Sequence, residues 1–152
     1  MYLDRGMIVN MNNYEIKQLL NNAVKNNKIL HSYMFIGGKL TQKQQLSEGF
    51  AQSILCLNRV KIPCQECKSC IEMSSRNHPD FKEIKLLEDG ATIKIEQIRE
   101  LQEDIVKKPI VSDKKVYIIQ DSDKMTVRST ELSIKNFRGA TRVCYYNLIS
   151  RK

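Results

Sequence analysis

The stretch FIGGKLTQKQQL, residues 35–46, puts the end of an apolar run, a glycine pair and the start of a second apolar pattern side by side. A phosphate-binding loop reads G-x-x-x-x-G-K-[ST]: glycine before the lysine lets the backbone pass close to the phosphates, and the hydroxyl after it holds magnesium. Here Gly37 is followed by four residues and then by Gln42, Lys43 and Gln44. Gln42 brings a Cβ and a bulky amide into the space that glycine leaves open, and Gln44 carries no hydroxyl. Gly37 and Gly38 keep the turn. Lys43 keeps a charge that a phosphate could use, although a lone lysine is usually solvated.

The flanks supply the context that such a loop needs. HSYMFIGG, residues 31–38, reads as a short buried strand ending in the glycine turn, and Leu46, Phe50, Ala51, Ile54 and Leu55 recur at helical spacing after it. Upstream, Ile16, Leu19, Leu20, Ala23 and Val24 predict an amphipathic helix over residues 13–25. Downstream, DFKEIKLL reads as a second strand, Ile95, Ile98, Leu101 and Ile105 mark a helix closed by Pro109, and KKVYIIQDSD is a strand bounded by charge. Strands alternating with helices imply an α/β fold with a parallel sheet and flanking helices.

Between the helical stripe ending at Leu55 and the second strand lie four cysteines, Cys56, Cys64, Cys67 and Cys70. Thiolates with two residues between them can turn back onto one ion, and four sulfurs complete tetrahedral zinc at about 2.3 Å, leaving no position for an activated water. The spacing therefore predicts a structural zinc clip over residues 56–78; disulfides or unliganded thiols are the alternatives. His78, in NHPDF, is a possible substitute ligand. His31 reads as a packing or hydrogen-bonding residue.

A chain of 152 residues can bury one real core. No apolar run reaches the length of a membrane span, and the first residues lack the apolar stretch of a signal peptide, so a cytoplasmic protein with no membrane partner is expected. The formal charge is +8, but residues 128–152 hold six basic residues against Glu131 alone, so five of the eight net charges fall there. The modest charge of the rest, with no aromatic residue among the cysteines, weighs against a free-standing zinc-ribbon nucleic-acid binder.

HSYMFIGG, a loop carrying Lys43, a cysteine set ending C-x-x-C-x-x-C, NHPDF, IKIEQIRELQEDIVKKP and KKVYIIQDSDKMT stand in an order that resembles bacterial clamp-loader subunits of DNA polymerase III. The resemblance runs from about Asn13 to Thr126. It implies a P-loop ATPase core of the AAA+ type, incomplete in this chain, with an inserted four-cysteine zinc module. Within the family the choice lies between the ATP-hydrolysing gamma/tau branch and the delta-prime branch, which is commonly inactive. By that resemblance Gln120 stands where an active subunit has its magnesium-binding aspartate, and Asp121 where the catalytic glutamate would be. With Gln42 and Gln44, these replacements imply no catalytic residue and no binding of ATP and Mg2+. The implied role is a structural, non-hydrolysing member of the sliding-clamp loading ring of the DNA polymerase III holoenzyme in DNA replication. Its partners would be delta and gamma/tau subunits, with DNA met only within the complex. A gamma/tau-like ATPase is the alternative.

After DKMT the family continues E-A-Q-N-x-L-L-K-T-L-E-E-P-P, which RSTELSIKNFRGATRVCYYNLISRK, residues 128–152, does not share as written. Read one base later, permitted codons turn Arg128–Glu131 into E-A-Q-N and Ile134–Arg142 into L-K-T-L-E-E-P-P-E. We therefore expect residues 1–127 to be the N-terminal part of the ATPase domain and residues 128–152 to be out of frame or disordered; a natural divergent basic tail is the alternative. Poor stability and little ring assembly follow from that expectation.

Overall fold

The computed structural model describes residues 2–3, 7–8, 13–30, 33, 35, 40–88, 90–121, 124–125 and 148–149. Tyr2–Leu3 (β1) and Met7–Ile8 (β2) form a small antiparallel pair. The helix Asn13–Lys25 (α1) has the predicted bounds, and Leu20 and Val24 are buried on its inner face. It ends where Asn27 takes a left-handed φ of 51°. The Lys28 N–H reaches the Ala23 carbonyl at 2.9 Å and the Asn27 N–H that of Val24 at 3.1 Å, so the turn satisfies carbonyls that the helix end leaves open.

Leu40–Leu55 (α2) carries the predicted stripe inward, with Leu46, Phe50, Ala51, Ile54 and Leu55 all buried. Lys68–Ser74 (α3) follows the cysteine-rich turns, and it closes like α1: Arg76 has φ 58°, and the Asn77 N–H donates to the Glu72 carbonyl at 2.9 Å. Phe81–Ile84 (β3), Ile95–Ile105 (α4) and Val116–Gln120 (β4) complete a β–α–β unit. At the start of α4 the Gln97 side chain accepts the Lys94 N–H at 3.0 Å, capping a donor of the first turn.

β3 and β4 pair in parallel, Phe81 opposite Val116 through Ile84 opposite Ile119. β4 is buried on both faces, and its alternation sorts side chains into two cores. Val116 and Ile118 join Leu20, Val24, Phe50 and Ile54, the layer of α1 and α2; Tyr117 and Ile119 join Ile84, Ile93, Ile98, Leu101 and Ile105, the layer of α4. Helices thus cover both faces of a small parallel sheet.

The strand expected over residues 31–38 falls largely outside the described residues, though Tyr33 and Phe35 are buried and Tyr33 meets Phe50 edge to face at 4.9 Å. Residues 128–152, expected to be out of frame or disordered, also lie outside them except for Leu148–Ile149 (β5). That pair runs parallel to β4, Leu148 opposite Ile119 and Ile149 opposite Gln120, a pairing the sequence reading did not anticipate.

Candidate metal centre and nucleotide motifs

Helix α2 carries one motif at each end. Gln42, Lys43 and Gln44 occupy its first turns, and Cys56 follows its last residue.

At the first end, Gln42 faces solvent and Gln44 donates to Glu48 Oε1 at 3.0 Å, one turn on. Lys43 is not the solvated side chain the sequence suggests; it is 6% exposed. Placed on the inner side of the first turn, its stem packs out of water. Gly37 and Gly38 lie outside the described residues. At the second motif, the Gln120 amide donates across the sheet to Glu83 Oε1 on β3. Asp121 is buried at the end of β4 with a left-handed φ of 49°, and its carbonyl accepts the Lys124 N–H at 2.8 Å. Aspartate tolerates that conformation better than most residues.

At the other end of α2, Cys56, Cys64, Cys67 and Cys70 bring their sulfurs within 4.8 Å of one another. Cys64 and Cys70 are 3.9 Å apart, Sγ to Sγ. The local fold aims backbone donors at these sulfurs. Cys67 caps α3 and accepts the Cys70 N–H at 3.5 Å, while Cys64 accepts the Cys67 N–H at 3.3 Å and Cys56 the Cys64 N–H at 3.5 Å. Such donors favour thiolates.

The thiols also perturb one another. Burial pushes Cys67 up, but the backbone of Leu57 and Cys70 and the Cys64 and Cys70 thiols outweigh it, holding Cys67 at about 6. At Cys70 burial leads and the neighbouring sulfurs add to it, so its thiol is pushed up to about 12. Burial also raises Cys56. Four crowded sulfurs resist losing all their protons unaided, and a cation among them removes that resistance. Three of the four cysteines are buried, and as a donor set they are soft and tetrahedral in number. These residues could hold a metal ion.

His78 is not one of that group. Its Nε2 lies 2.8 Å from Ser69 Oγ, and its Nδ1 accepts the Asp80 N–H at 3.0 Å. Asp80 is buried, and its carboxylate accepts the N–H groups of Ile110, Val111 and Ser112 at 2.7, 2.7 and 2.8 Å. Sequence reasoning missed Ser69, Asp80 and Ser112 as a unit; the one signal for it was NHPDF, read only for His78 as a substitute ligand and as part of the resemblance.

A parallel sheet between helical layers, a helix that leads from a lysine-bearing first turn to a four-cysteine cluster, and Asp121 just past the Gln120 end of β4 stand in the order that the clamp-loader resemblance implies. The family model described as DNA polymerase III, delta subunit, matches residues 12–137. The chain belongs to the DNA polymerase III delta-subunit family and is of the delta' clamp-loader type. DNA polymerase III subunit delta' of Bacillus subtilis (strain 168) is 36% identical over 120 residues, which cover 79% of this chain and 36% of that one. Subunit gamma/tau of Mycoplasma pneumoniae is 30% identical over 125 residues, covering 82% and 18%. The crystal structure of a DNA polymerase III gamma subunit-related protein from Thermotoga maritima shares the fold, with a TM-score of 0.62 at 17% identity over 89% of this chain and 39% of that one. The chain spans about a third of the length of the delta' relatives it matches.

Proposed function

We propose that this chain acts as a structural, non-hydrolysing member of the sliding-clamp loading ring of DNA polymerase III. It would work in the cytoplasm beside delta and gamma/tau subunits and meet DNA only within that complex. The observation that carries this reading is Gln120: an amide stands where the family's active members place a magnesium-binding carboxylate, and it is already engaged with Glu83. An amide offers a hard cation one neutral oxygen in place of a charged pair. Gln42 and Gln44 support the same reading at the other motif, since they remove the close backbone approach and the metal-holding hydroxyl. The AAA+ core is then kept as a scaffold, with Gly37, Gly38 and Lys43 as remnants of a phosphate site.

The four cysteines would hold zinc as a structural ion. Zinc suits a closed tetrahedral thiolate set, and its part would be to fix the turns between α2 and α3. A gamma/tau-like ATPase is the second reading, favoured by the retained Lys43 and the similarity to gamma/tau subunits. ATP turnover by the purified chain, alone and with added delta and gamma/tau subunits, separates the two: the proposed reading expects none that depends on Lys43 or Asp121.

The shifted-frame reading of residues 128–152 stands beside this as a separate proposal. The family match continues to residue 137, past Arg128, so the reading rests on the codon argument and on the DNA sequence that would test it.

A further inference from the structure

A buried knot of polar groups joins the cysteine cluster to the sheet. The Leu55 carbonyl, at the end of α2 and next to Cys56, is one of the acceptors that a helix C-terminus leaves open. Two hydroxyls donate to it, Ser69 at 2.6 Å and Ser112 at 2.8 Å. Ser69 sits on α3 between Cys67 and Cys70; Ser112 sits in the loop that leads into β4. Ser69, Ser112 and His78 are all buried, so their hydrogen bonds have no competition from water.

Counting protons fixes the state of the knot. Each serine has one hydroxyl proton, and both point at Leu55, so the 3.3 Å contact between the two hydroxyls carries none. The oxygens therefore need an outside donor for their remaining lone pairs. His78 Nε2 lies 2.8 Å from Ser69 Oγ and 3.4 Å from Ser112 Oγ. Because Nδ1 already accepts the Asp80 N–H, the imidazole proton is on Nε2 and is donated to the serines. One hydroxyl thus ties the Cys56 end of the ligand set to the Cys67 and Cys70 end, and His78 fixes that hydroxyl's direction. Asp80 fixes His78 in turn, and through Ile110, Val111 and Ser112 it anchors the loop entering β4.

We propose that His78 is a positioning residue for the four-cysteine metal centre, acting through Ser69 on the spacing between Cys56 and the Cys67–Cys70 pair. This rests on the reading of the cysteines as a metal centre. It assigns His78 no bond to the metal.

Two substitutions split the role of the ring. His78→Gln keeps an amide N–H at the place of Nε2, facing Ser69, and gives up the acceptor for Asp80. His78→Asn keeps an acceptor at the place of Nδ1 and gives up the donor for Ser69. Cobalt(II), added to the reduced full chain under anaerobic conditions, reports the site by its thiolate charge-transfer and d–d bands, and zinc competition then gives the affinity. Groups that orient metal ligands from outside the coordination shell typically change affinity by about 10- to 100-fold. The proposal expects His78→Asn to lose at least about tenfold in affinity with altered d–d bands, and His78→Gln to stay within about threefold of wild type. Ser112→Ala, outside the cysteine module, expects a smaller loss and serves should His78→Asn fail to fold by circular dichroism. Equal affinity and unchanged bands in His78→Asn or in Ser112→Ala overturn the positioning role. A wild-type chain that gives no cobalt–thiolate band overturns the metal reading itself, a different result.

Discussion

The sulfurs of Cys64 and Cys70 stand 3.9 Å apart. Four thiolates at about 2.3 Å from a central ion would be separated by about 3.8 Å, so this pair already has the spacing of a tetrahedron's edge. The chain is expected to purify with one zinc ion, measured by elemental analysis under reducing conditions. Cys64→Ser or Cys70→Ser should abolish stoichiometric metal and lower stability by several kcal/mol, since binding energy in such sites is folding energy. A chelator should destabilise wild type and leave the serine variants unchanged.

Burial pushes the His78 imidazole below the ordinary histidine value of 6.5, against an opposing pull from Asp80 and Glu72. The unfolded chain takes up its proton near 6.5 and the folded chain only at lower pH. Between those values the unfolded state binds more protons, so stability is fully present above pH 6.5 and is lost as pH falls through the folded value. Denaturant melts at pH 7.5 and 5.5 should show that loss, with a smaller one in His78→Gln. Nitrogen-detected NMR should show the Nε2–H tautomer for His78 at neutral pH.

Asp104 is the hub of a second buried network. Its Oδ2 accepts the Tyr117 hydroxyl at 2.7 Å and Lys115 Nζ at 3.2 Å, and its Oδ1 meets Lys82 at 3.0 Å. The Lys115 side chain is only 4% exposed, so Asp104→Ala would leave a buried ammonium without its carboxylate. Breaking one side of such a pair costs about 3–5 kcal/mol, and that loss is expected in urea melts. Adding Lys115→Met should recover much of it.

Asp80→Asn replaces a carboxylate that accepts three backbone N–H groups within 2.8 Å. A loss of about 2 kcal/mol is expected, the range for hydrogen bonds to a charged group. Hydrogen exchange should quicken at residues 110–112 in this variant while the amides of α1 keep their protection.

Helices α1, α2 and α4 were legible because each buries an apolar set at helical spacing, and β4 because a short apolar run stands between charged residues. Helix α3 was not: seven residues give no sustained period, and its buried positions are Ser69 and Cys70. The four cysteines declared themselves by spacing. The knot behind them could not, since Leu55, Ser69, His78, Asp80 and Ser112 are scattered along the chain and only folding joins them. Lys43 shows the same limit from the other side, because whether a lone lysine faces water depends on which side of a helical turn it occupies.

The claim that the phosphate site survives as a scaffold without its chemistry is tested most directly by titrating the zinc-loaded chain with a fluorescent ATP analogue and Mg2+, alongside Lys43→Ala. The account predicts no saturable binding at millimolar nucleotide, no turnover, and no difference between the two proteins. Saturable, magnesium-dependent binding with hydrolysis that Lys43→Ala removes would contradict it.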